Sequence, residues 1–164
     1  MKNFVQIVFP LSLLLFTNSL NAQVAPFIKW QNCFGGSGGE GASSIQQTID
    51  GGFILAGSSW SNDGDVSGNH GGNDYWIVKL DADGDVEWQK SLGGSEDDGA
   101  QSIQQTTDGG YIIAGTSQSN DNDVTGNHGF YNSYGNLINT IDYWIVKLSN
   151  DGNLVWQKAF GGTE

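Results

Sequence analysis

Residues Ser44–Gly57, SIQQTIDGGFILAG, return almost unchanged as Ser102–Gly115, SIQQTTDGGYIIAG. A chain that duplicates itself at this fidelity folds as stacked units, because one short unit cannot bury its own apolar face and needs a neighbour to cover it. The duplication extends well beyond the quoted stretch. Trp30-Gln31, Trp88-Gln89 and Trp156-Gln157 each precede a glycine pair, at Gly35-Gly36, Gly93-Gly94 and Gly161-Gly162. Trp30 and Trp88 stand 58 residues apart, and Trp88 and Trp156 stand 68 apart. The additional residues fall in one place, GFYNSYGNLINT (129–140), between the matched His128 and Tyr143.

Each copy reads as four short strands. In the first they are Ala42–Thr48, Gly52–Trp60, Asp74–Asp81 and Val86–Leu92. Asp50-Gly51 and Asp83-Gly84 sit between apolar runs, which signals hairpins; the tightest such turn needs positive φ at both central residues. In YWIVKL the residues Trp76, Val78 and Leu80 alternate with Tyr75 and Ile77, so both faces of that strand are apolar. Such a strand is covered on both sides. Twenty-five glycines, six tryptophans and a lack of helix-favouring stretches after residue 20 agree with turn-rich β structure. The expected class is all-β, built of four-stranded antiparallel sheets that sit between neighbours as the blades of a β-propeller do.

The phrases SIQQT-DGG(F/Y)I(L/I)AG, SND(G/N)DV(S/T)GNHG, DYWIVKL and WQK(S/A)(L/F)GG resemble the repeats of large secreted bacterial proteins predicted to form β-propellers. The resemblance spans nearly all of residues 28–164. It implies the propeller fold and a place outside the cytoplasm, often reached by the type IX secretion pathway, and it implies no reaction. On this reading residues 23–34 are a strand of a partial blade, 35–92 the first blade, 93–160 the second with its insertion at 129–140, and 161–164 the opening of a third. Propellers close with about four to eight blades, so the chain is expected to be a piece of a larger propeller whose partners include further repeats of the same kind.

Residues 1–22 are set apart from this pattern. Lys2, the apolar run Phe4–Phe16 and a small residue at Ala22 make a secretory signal, too short to span a bilayer. The expected mature chain begins at Gln23 and is secreted or held at the cell surface. Cys33 is the single cysteine and cannot form a disulfide within the chain. Its repeat counterparts are Ser91 and Ala159, so it reads as a small packed side chain. Six Lys+Arg against eighteen Asp+Glu give a net charge of −12. That charge excludes nucleic acid and anionic membrane surfaces as partners, because both need clustered cations.

Three sets of residues could carry chemistry. The loops SNDGDVSGNHG (61–71) and SNDNDVTGNHG (119–129) keep Asp63 and Asp65, with Asp121 and Asp123 at the matching positions. Oxygen-rich side chains on a glycine-flexed loop suit Ca²⁺, while the same residues also cap turns by bonding nearby backbone. GSGGEG (36–41) matches a dinucleotide fingerprint in letters alone: a strand follows it where a helix is needed, and the second copy reads GSEDDG. Most aromatics occupy packing positions on strands. Trp60 is opposite Gln118 in the second copy, and Tyr131 and Tyr134 lie in the insertion, which makes these three the candidate ligand-binding aromatics.

No nucleophile, base and orienting group stand together in the sequence, so the chain itself is expected not to be an enzyme. The reading is a non-catalytic binding, adhesion or surface-scaffold protein, with extracellular polysaccharide or a surface protein as partner. The alternatives are a carbohydrate-binding module acting through loop aromatics, a calcium-stabilised structural repeat, and part of a propeller enzyme whose catalytic residues lie outside this chain.

Overall fold

Alternating apolar patterns separated by Asp-Gly turns produce ten strands and no helix among the residues described. The computed structural model describes residues 25–131, 133, 134 and 137–162, so the expected signal segment lies outside them. The strands are β1 (Glu40–Gln47), β2 (Phe53–Ser59), β3 (Asp74–Leu80), β4 (Val86–Leu92), β5 (Asp98–Gln105), β6 (Tyr111–Ser117), β7 (Gly129–Tyr131), β8 (Leu137–Asn139), β9 (Asp142–Leu148) and β10 (Leu154–Phe160). They form two four-stranded antiparallel meanders, β1-β2-β3-β4 and β5-β6-β9-β10, with no closed barrel. The insertion folds as a small hairpin, β7-β8, carried between β6 and β9. The two meanders match position for position: Gly57 pairs with Trp76 and Gly115 with Trp144, and bulges fall at Ala42/Ser44 and Ala100/Ser102.

The hairpin turns differ from the tightest form expected. Gly51, Gly84, Gly109 and Gly152 have positive φ, but the aspartates before them do not. Gly51 N–H donates to the Thr48 carbonyl and Thr48 N–H to the Gly52 carbonyl. That is a three-residue loop, in which one turn is followed by a single left-handed glycine. The aspartate is needed for its side chain instead of its φ: Asp50 Oδ1 accepts from Gly52 N–H at 3.0 Å and from the Thr48 hydroxyl.

β3 is buried along its whole length. Tyr75 and Ile77 join a cluster with Ile113, Trp144, Val146 and Leu148 of the second sheet, and this seam is the main core. Trp76, Val78 and Leu80 face the other way into a second cluster. That cluster is covered by Trp30 and Phe34 from the segment ahead of β1, with the Trp30 ring edge-on to Phe53 at 5.6 Å. This segment, expected as a strand, joins no ladder among the described residues. A strand needs a hydrogen-bonding neighbour, and the segment lies instead across the face of the first sheet, held there by Trp30 and Phe34.

One cation is drawn into the sheet. Lys79 is 2% exposed, and its ammonium donates to Glu87 Oε2 at 2.7 Å and the Leu80 carbonyl at 3.0 Å, with Asp50 Oδ2 at 3.0 Å. The aliphatic stem packs while the charged end meets oxygens at the rim. No helix among the described residues is long and apolar enough to cross a membrane.

Candidate functional site at the loop end of the sheets

The polar loops after β2 and β6 fold back onto the glycine pairs that open each copy. Asp63 Oδ1 accepts from Ser37 N–H at 2.7 Å and Asp65 Oδ2 from Gly35 N–H at 3.0 Å. The second copy repeats this: Asp121 Oδ1 accepts from Ser95 N–H at 2.8 Å and Asp123 Oδ2 from Gly93 N–H at 3.4 Å. Each carboxylate therefore satisfies backbone donors of a loop that has no ladder of its own. The Ser37 N–H holds the Asp63 carboxyl below the usual carboxylate range. Among the described residues no group of three or more His, Cys, Asp or Glu is arranged to hold a metal ion.

Beneath these loops a second acid joins each network. Glu40 Oε1 accepts from the Ser59 hydroxyl at 2.9 Å and the Ser61 hydroxyl at 2.5 Å, and the Ser61 bond is the main reason its pKa is lowered. Its counterpart Asp98 is 1% exposed and accepts from Gly94 N–H at 2.7 Å and the Ser119 hydroxyl at 2.8 Å.

The two networks meet at the seam between the sheets. His70 Nδ1 lies 2.7 Å from Asp74 Oδ2, and His70 N–H donates to the same oxygen at 2.9 Å. His70 Nε2 lies 3.8 Å from Asp123 Oδ2, so one ring reaches a carboxylate from each copy. Asp74 is fully buried, and its Oδ1 has no hydrogen-bond partner. A Cβ placed on Gly93 would lie 2.4 Å from Asp74 Oδ1 and 2.7 Å from Asp98 Oδ2; only glycine lets both carboxyls close on the backbone there. Burial pushes the Asp74 carboxyl up to about 6, against the pull of the His70 hydrogen bonds, and Asp98 adds to the rise. Burial raises Asp98 as well. The arrangement brings two buried carboxyls, one from each copy, against Gly93 and ties the two sheets together at their loop end.

Asp74, Asp98 and Glu40 were not among the candidate residues from sequence. The available signal was the spacing: an acid five residues after the first glycine of each pair, and an aspartate opening each DYWIVKL strand. His128 repeats the contact, with Nδ1 at 2.7 Å from Asp142 Oδ2.

The candidate aromatics stand apart from this seam in the chain. Trp60 follows β2 and is 67% exposed; Tyr134 lies between β7 and β8 and is 88% exposed. Tyr131 is on β7, and its side chain lies outside the described residues. Cys33 is exposed, where a small packed side chain was expected, because its segment crosses the sheet face without entering a ladder. No family model matches the chain, and no curated protein is significantly similar to it.

Proposed function

We propose that this chain is a secreted, repeat-built protein of the β-propeller type with a non-catalytic binding, adhesion or surface-scaffold role. The observation that carries the reading is the seam. Matched four-stranded sheets stack face to face, and the second sheet turns outward the residues that the first uses for stacking. Tyr75 is fully buried between the sheets, whereas its counterpart Tyr143 is 69% exposed. Stacking by a repeated face is how propellers and other repeat proteins grow, and rigid stacked sheets display their loops for binding.

A carbohydrate-binding role for those loops is favoured by Trp60, a large ring left in solvent at a position the sheet does not require. Aromatic faces of this kind stack on apolar faces of a ligand. The test begins with an exporting bacterial host: extracellular protein starting at Gln23 supports secretion, and intact Met1 protein retained in the cytoplasm overturns it. Binding to extracellular polysaccharide is then measured for the wild type beside Trp60→Ala and Tyr134→Ala. Equal binding by all three removes the aromatic reading, and turnover of the polysaccharide overturns the non-catalytic role.

A further inference from the structure

The niche that holds Tyr75 in the second sheet is present again in the first. Tyr75 lies with its ring 4.6 Å from the Trp144 ring, and its hydroxyl donates to the Trp144 carbonyl at 3.0 Å. The niche depends on Gly115, where a Cβ would lie 2.5 Å from the Tyr75 hydroxyl oxygen. The matching residues of the first sheet, Ala42, Leu55, Gly57, Trp76 and Val78, line a cavity of about 220 Å³, which Asn32 and Phe34 of the segment ahead of β1 wall on one side. Ala100 is 3% exposed beneath the seam, while its counterpart Ala42 is exposed.

The group that fits this cavity is displayed at the other end of the molecule. Tyr143 holds on β9 the position of Tyr75 on β3, and around it Ile141, Trp156 and Phe160 are 64%, 43% and 52% exposed. At the internal seam the counterparts of the last two are engaged: Trp88 lies edge-on to Tyr111 at 5.8 Å, and Leu92 is 1% exposed.

We propose that a second copy of this chain docks head to tail, its Tyr143 entering the cavity against Trp76 with the hydroxyl donating to the Trp76 carbonyl. The internal seam is the template for the contact, and the inference does not depend on the binding role proposed above. Because the two surfaces differ, the contact is heterologous, and successive copies either close into a ring or extend.

The segment Phe27–Phe34 competes with the incoming copy. The Trp30 ring packs on Gly84 as the Trp88 ring packs on Gly152, so Trp30 stands where the incoming Trp156 belongs. The segment joins no ladder and is held by the packing of Trp30 and Phe34 on the second cluster, by the Asn32 amide donating to the Gly84 carbonyl at 2.8 Å and by an exposed Lys29–Asp83 pair. β10, fully paired with β9, arrives already ordered and displaces it.

Analytical ultracentrifugation of the purified chain tests this, near physiological ionic strength where the Debye length is about 8 Å and repulsion between acidic copies is screened. Concentration-dependent association is expected, tighter in Trp30→Ala. Tyr143→Arg blocks the donor face and Ala42→Arg blocks the cavity; each weakens association on the order of 30-fold or more, as loss of a central anchor does. Mixing the two variants restores one good contact and gives a one-to-one dimer that grows no further. Tyr143→Ser and Ala42→Gln serve as the pair if the arginine variants lose their unfolding transition. Three results overturn the proposal: a monomer that persists in Trp30→Ala, association of either blocked variant at wild-type strength, or a mixture that stays monomeric.

Discussion

The Tyr75 hydroxyl donates to the carbonyl oxygen of Trp144 across the seam, while the two rings lie 4.6 Å apart. One side chain thus supplies ring packing and satisfies a polar atom inside the main core. Its fate in the chain is unequal to that of its twin, since Tyr143 has no sheet beyond it among the described residues and stays 69% exposed.

Tyr75→Phe is expected to cost about 1 kcal/mol, the net worth of one buried hydrogen bond. Tyr75→Ala should cost about 3–5 kcal/mol, as for other large buried rings. Tyr143→Ala should stay within about 0.5 kcal/mol in dilute protein. Denaturant unfolding of the three variants checks the ranking, and equal losses at both tyrosines would mean that the seam does not carry the fold.

Asp74 sets a pH dependence whose sign follows from its pKa, raised by burial to about 6 from 3.8. Between these values the folded chain holds a proton that the unfolded chain has released, so stability falls as pH rises from about 4 to 6 and is level above. The loss is on the order of 3 kcal/mol. Asp98, raised by burial too, acts in the same direction. Melting curves between pH 4 and 7 for the wild type and Asp74→Asn check it: the variant should lose most of the slope and gain stability at pH 7.

Asp63→Ala and Asp121→Ala remove the acceptors of Ser37 N–H and Ser95 N–H and should each lower the melting temperature. The decrease should be the same in chelator and in millimolar Ca²⁺, because the lost partner is backbone. A cation bound only by the native state would raise the melting temperature with concentration, and a calcium-dependent difference would assign these loops to Ca²⁺.

Lys79→Met should cost less than about 1 kcal/mol, since the stem stays packed and an apolar replacement for a buried ion is often near neutral. Lys79→Ala should cost about 2 kcal/mol or more through the cavity it leaves. Glu87 and Asp50 are 46% and 53% exposed, so both carboxylates regain water in either variant. Thermal unfolding of the pair separates packing from charge.

The sequence by itself determined the all-β class, the four strands of the first copy to within two residues at either end, and the two-faced burial of β3, but not that the segment ahead of β1 joins no ladder or that the insertion forms a hairpin. The first three follow from alternation and Asp-Gly spacing, which act over a few residues and are visible in the string of letters. The turn geometry was legible only to the level of a hairpin, because the φ of Asp50 and Asp83 depends on loop length and not on the residue pair alone. Tertiary structure decided which of two identical tyrosines is core. It also decided that Asp63, Asp65, Asp121 and Asp123 reach backward to glycine pairs, and that Asp74 and Asp98 converge on Gly93. Each of these depends on how a distant part of the chain packs against a residue whose own neighbourhood is unchanged. Residues with the same local sequence acquire different environments when, among the described residues, one copy has a sheet against its outer face and the other does not.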